Sequence, residues 1–132
     1  MDPADLLATM PFAVHTGVRL EAATPDAVVG RLDWEQHRTT AGNGMHGGAL
    51  MTLADSVGAA CAFLNLPAGA TTSTTSSSTV FTRGVRKGTV TATARPLHAG
   101  RSTVVVVVEL RDDEDRLVAQ VTQSQAVLRP AS

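Results

Sequence analysis

One stretch of this chain decides most of what it can fold into. Residues 47–64, Gly-Gly-Ala-Leu-Met-Thr-Leu-Ala-Asp-Ser-Val-Gly-Ala-Ala-Cys-Ala-Phe-Leu, are small or apolar almost throughout and carry one charge, Asp55. At 100° per residue, Leu50, Leu53, Val57, Ala60 and Leu64 fall on one stripe, which predicts a helix packed against a core. Leu66-Pro67-Ala68-Gly69 supplies its stop. The length approaches the ~20 residues that span a bilayer. Asp55 at its centre, however, would cost about 2.5–3.5 kcal/mol to insert. Gly47, Gly48 and Gly58 weaken the stretch further, and no second span follows. It reads as the central helix of a globular domain, with no membrane partner.

The rest of the chain sets that helix in β-structure. A short helix is expected over Ala4–Met10, before Pro11-Phe12. Val18–Ala22 and Ala27–Trp34 read as strands joined around Thr24-Pro25-Asp26, and a polar loop, Glu35–Met45, leads into the helix. Four strand-length runs rich in Val and Thr follow: Ala70–Phe81, Gly88–Leu97, Arg101–Arg111 and Leu117–Leu128. Short links at Arg86-Lys87-Gly88, His98-Ala99-Gly100 and Asp112-Asp113-Glu114-Asp115 favour antiparallel hairpins. The expected fold is α+β, one long helix against an antiparallel sheet of five or six strands, in a single domain over residues 1–132. Thr71–Thr79 is all Ser and Thr yet lacks Gly and Pro, so a strand polar on both faces fits better than a linker. Such a strand suits a subunit interface or a wet cavity. Val104–Val108 is five valines in a row, which predicts a strand buried on both faces.

Composition removes whole classes of function. Lys+Arg 11 against Asp+Glu 12 gives a net charge of -1, where a nucleic-acid binder carries a basic excess. Three Phe, one Trp and no Tyr offer no stacking platform for single strands. The lone Cys61 forms no internal disulfide and no thiolate cluster, and the acidic start Met1-Asp2-Pro3-Ala4-Asp5 is unlike a signal peptide. The expectation is a soluble, cytoplasmic protein.

Several motifs dissolve on inspection. Gly42-Asn43-Gly44-Met45-His46-Gly47 matches G-x-G-x-x-G, but a polar loop precedes it and Ser/Thr fills the next strand, so a dinucleotide site is not expected. His15, His37, His46 and His98 are scattered without metal-ligand spacing, and no metal is expected. No G-x-S-x-G elbow occurs, and Cys61 lies about 240° around the helix from Asp55, where it reads as a small core residue.

Asp55 does not dissolve. It points away from the apolar stripe, among Gly48, Met51, Ala59 and Ala62, with no other charge on its side. An acid so placed belongs in a cleft or interface, where a carboxylate is costly without a partner or a task; a solvent-facing Asp is the plainer alternative. Gly47 and Gly48 at the helix start leave backbone N–H donors approachable at the positive end of the dipole. These suit a carbonyl oxygen gaining negative charge, unless the pair is only a tight turn.

The run His46-Gly47-Gly48-Ala49-Leu50-Met51-Thr52-Leu53-Ala54-Asp55 resembles the H-G-G-x-x-x-x-L-x-D/E pattern of hotdog-fold acyl-CoA thioesterases of the phenylacetate-pathway (PaaI-like) group, related to the 4-hydroxybenzoyl-CoA thioesterases. The resemblance implies a sheet wrapped around the helix and hydrolysis of a coenzyme A thioester. Asp55 would serve as base or nucleophile, the Gly47 N–H would polarise the carbonyl beside His46, and Ser73 or Thr74 would assist. It departs at Thr40, where the family often has Asn or Gln; Asn43 lies three residues later. The coenzyme A phosphates would need cations, and Arg83, Arg86, Lys87 and Arg101 are available in or near hairpin loops. No cofactor is implied beyond the coenzyme A of the substrate, and the assembly implied is a homodimer or homotetramer with sites shared between subunits. A hotdog module that binds acyl-CoA without turnover is the alternative; the patterns of hotdog hydratases are absent.

Overall fold

The computed structural model describes residues 1–130. Its elements are α1 (Pro3–Ala8), α2 (Pro11–Thr16), β1 (Arg19–Ala23), β2 (Val28–Asp33), α3 (Gly47–Leu64), β3 (Thr71–Phe81), β4 (Thr89–Ala99), β5 (Thr103–Arg111) and β6 (Leu117–Leu128). Short 3-10 turns at Gln36–Arg38 and Ala41–Asn43 lie in the loop before α3. The six strands form one sheet in the order β1-β2-β4-β5-β6-β3, and every neighbouring pair is antiparallel. Of the expected hairpin links, 112–115 joins β5 to β6, while the β4–β5 turn falls at 100–102, because His98 and Ala99 still pair with Val105 and Val104 as part of β4. The hairpin expected at 86–88 is not one: β3 pairs with β6, and the connection over 82–88 carries the chain across the sheet to β4.

α3 is the helix around which this sheet curls, packing on β2, β3, β4, β5 and β6. The apolar stripe is the buried one: Leu50, Leu53, Val57 and Ala60 meet Val28, Leu32, Val90, Val106, Val108 and Val121. The approach is closest at Gly30 of β2, where a side chain would put a Cβ 2.6 Å from a Val57 methyl. The core of this sheet and helix thus depends on a glycine at one crossing. Half of α3 is buried within the fold, although its length and hydropathy would allow a membrane span.

Two further expectations need correcting. Pro11 starts a second helix rather than merely ending the first, because proline at a first helical position already has the required φ and gives up an N–H with no helical partner. The five valines of β5 are fully buried only at 104, 106 and 108; Val105 and Val107 are half-buried on the outer face of the sheet. On the far side of α3, Met51 and Phe63 remain exposed, as does Phe12 of α2.

Candidate active site

β3 is an edge strand, paired with β6 alone, and its serines and threonines lie beside α3. Antiparallel pairing places cross-strand partners on the same face. Thr74 is opposite Gln125, and both face the helix. Ser73 is opposite Ala126 and by alternation faces away. A bulge between Thr74 and Ser76 then re-phases the strand, so that Ser77, opposite Gln123, returns to the helix side. Of the two residues expected to assist Asp55, the structure therefore brings Thr74 and not Ser73.

The carboxylate of Asp55 is held by amides that sequence reasoning overlooked. Gln123 donates from Nε2 to Asp55 Oδ1 at 2.7 Å, and the Thr74 hydroxyl approaches the same oxygen at 3.5 Å. Gln125 donates to the Thr74 hydroxyl at 2.7 Å and to Gln123 Oε1 at 2.9 Å. The Thr72 hydroxyl lies 3.2 Å from Gln125 Oε1 and donates to the Ala126 carbonyl at 2.8 Å. Both glutamines are completely buried. Among the described residues, Asp55 Oδ2 receives no hydrogen bond. A signal was present in the sequence, since Gln123 and Gln125 share strand parity with the core residues Ala119 and Val121.

Asp55 opens on a groove of about 470 Å³ between α2 and α3, lined by Met10, Pro11, Phe12, Ala13, Met51, Thr52, Ser56, Ala59 and Ser77. Through Met10 and Ala59 it adjoins an apolar recess of about 290 Å³ formed by Leu6, Ala60, Phe63 and Thr72 among others. A carboxylate, an open groove and an apolar recess thus lie side by side.

At the start of α3, His46 is the N-cap, and its Nδ1 accepts the Gly48 N–H at 2.7 Å. That bond consumes the second glycine's donor. The Gly47 N–H has no partner among the described residues, and the Phe81 ring lies close enough that a Cβ at Gly47 would meet it at 3.3 Å. Gly47 and Asp55 are eight residues apart on one helix, about 12 Å at 1.5 Å per residue. Asn43 is turned to the loop instead: its carbonyl accepts the Trp34 indole N–H at 2.9 Å and its side chain faces Gln36. Thr40 closes the same loop through its backbone to Gly44.

The four candidate cations do not converge within the chain. Arg83, Arg86 and Lys87 lie in the β3–β4 connection at the N-terminal end of α3, where Val85 accepts the Met45 N–H. Arg101 sits in the β4–β5 hairpin at the opposite end of the sheet, its carbonyl bonded by Arg129. Cys61 is fully buried, and burial pushes its thiol up to about 11, so it is the core residue expected and no nucleophile.

Known proteins share this fold. Residues 42–119 match the thioesterase superfamily. The Mycobacterium tuberculosis H37Rv protein named “Putative esterase Rv1847” is 31% identical over 121 residues, 89% of this chain and 86% of its own. A mutant of thioesterase PA1618 from Pseudomonas aeruginosa superposes with a TM-score of 0.91 at 26% identity, over 97% of this chain and 94% of that one. The E. coli PaaI protein from the phenylacetic acid degradation operon, at 21% identity, shares the fold, with a TM-score of 0.85 over 96% of this chain and 91% of its own.

Proposed function

The chain belongs to the thioesterase superfamily, and we propose that it hydrolyses acyl-coenzyme A thioesters at a site built from two copies of itself. The observation that carries this reading is a carboxylate pinned through Oδ1 with Oδ2 open to a groove. Asp55 Oδ2 takes a proton from a water that attacks the thioester carbon, or attacks that carbon itself. In the first case the C–S bond breaks, coenzyme A leaves as the thiol with the proton taken from the water, and the free acid remains. In the second the C–S bond breaks to leave a mixed anhydride on Asp55 and coenzyme A thiolate; water then hydrolyses the anhydride, which releases the free acid, restores the carboxylate and supplies the proton of the thiol.

The developing oxyanion needs a donor ~3 Å away. The Gly47 N–H on the same helix is too far from Asp55 to serve. Two copies related by a two-fold axis, with their α3 helices antiparallel, bring Gly47 of one to Asp55 of the other. The same axis carries the second copy's Arg101 toward the end where Arg83, Arg86 and Lys87 lie, which gathers cations for the coenzyme A phosphates. The apolar recess beside Ala59 takes the acyl group.

The test is hydrolysis of a panel of aryl, short-chain and long-chain acyl-CoAs, followed by release of the thiol, with the native chain and Asp55→Asn. Turnover that disappears in Asp55→Asn supports the reading. Binding of acyl-CoA with no turnover by the native chain would instead support a non-catalytic module.

A further inference from the structure

Gln123 and Gln125 occupy inward positions of β6 where apolar side chains would be the ordinary choice. Burying a primary amide is unfavourable unless its polar atoms are bonded, and leucine would fill either place without that requirement. The bonds made here run in one direction. The Thr72 hydroxyl, which donates to the Ala126 carbonyl at 2.8 Å, lies 3.2 Å from Gln125 Oε1; Gln125 donates to Thr74 and Gln123, and Gln123 donates to Asp55. The chain ends on a single oxygen, Oδ1. The facing helix leaves room for it: at Gly58 a Cβ would lie 2.7 Å from Gln123 Oε1. A methyl there would press on the amide that reaches the carboxylate.

We propose that Gln123 and Gln125 are positioning residues, which lock the Asp55 carboxylate by Oδ1 and present Oδ2 to the groove. This rests on the reading of Asp55 as the reacting carboxylate. A carboxylate free to rotate about its last bond spends most of its time misaimed, and a misplacement near 1 Å costs on the order of 10²-fold in rate. Substrate binding does not depend on the aim, so the loss falls on kcat and not on KM.

The experiment measures kcat, KM and the pH profile of kcat for four variants, with the acyl-CoA that the native chain turns over fastest. Gln123→Met should lower kcat on the order of 10²-fold with KM unchanged. Gly58→Ala should lower kcat similarly although Gln123 is intact, because the new methyl displaces the amide. Gln123→Glu places a second carboxyl against Asp55, and two carboxylates in hydrogen-bond contact share one proton. With that proton present the substituted side chain donates as the amide does and the rate is retained; as pH rises and the proton leaves, the rate falls along a limb that the native chain lacks. A purely structural glutamine would leave the pH profile unmoved. Asp55→Asn anchors the comparison. Native kcat in Gln123→Met and Gly58→Ala beside an inactive Asp55→Asn overturns the positioning role and leaves the reading of Asp55 standing. Native kcat in Asp55→Asn overturns both. Should Gln123→Met not fold, a native kcat in Gly58→Ala with a native pH profile in Gln123→Glu overturns the proposal alone.

Discussion

Asp55→Asn exchanges one oxygen for an NH2 group and disturbs little else. The amide oxygen can still accept from Gln123, so the thermal midpoint should be close to native, while the atom proposed to take a proton or attack is gone. Loss of a general base is worth roughly 10²–10⁴-fold, and that fall in kcat, read beside an unchanged unfolding curve, is the expected result. Cys61 makes a different prediction. Its thiol is pushed from an ordinary 9.0 to about 11 by burial. The unfolded chain therefore releases this proton from about pH 9 while the folded chain keeps it until about pH 11. Within that window the folded state binds more protons, so stability is intact below it and falls as pH rises through it. Urea unfolding on both sides of the window should show a drop in the native chain that is smaller in Cys61→Ala. Asp55 and Cys61 were legible in the sequence because helical periodicity sorts one from the other. Gln123 and Gln125 were not, since they lie 68 and 70 residues beyond Asp55, and only the sheet register brings them to it.

The Ser/Thr strand shows what an element's composition reveals and conceals. A run with no Gly or Pro announced β3 correctly, yet composition cannot give phase. The bulge after Thr74 decides which hydroxyls face α3, and a bulge is set by pairing with β6, not by the run itself. Thr74→Ala should lower kcat several-fold, within the roughly tenfold range of one weak hydrogen bond, because it removes both a contact to Asp55 and an acceptor for Gln125. Ser73→Ala should leave the rate native. Equal kinetics in the two variants would show that β3 only packs. The other elements divide similarly. α3 was predicted at its observed bounds because stripe, glycines and Pro67 agree. α2 was missed because proline marks a helix start as readily as a stop, and a helix of 6 residues is too short to show a period.

At the scale of the whole molecule, the exposed Phe12, Met51, Phe63 and Phe81 lie along α2, α3 and the edge strand, on the side where Asp55 opens. A shared site predicts complementation between two inactive chains. Asp55→Ala removes the carboxylate. Gly47→Pro removes the N–H at the first helical position, where proline is tolerated. His46 before it already has ψ 134, the extended conformation that proline demands. The nearest obstacle to the proline Cβ is Phe81, an exposed side chain able to swing aside. Each variant alone should be nearly inactive. Unfolded and refolded together, they form mixed dimers in which one site receives Gly47 from the first chain and Asp55 from the second, while the other receives neither. Random pairing makes about half the dimers mixed, so activity should return to roughly a quarter of native. Mixed dimers shown to form between two well-folded variants, yet without activity, would place both groups of each site on one chain, and the two-copy site would have to be abandoned.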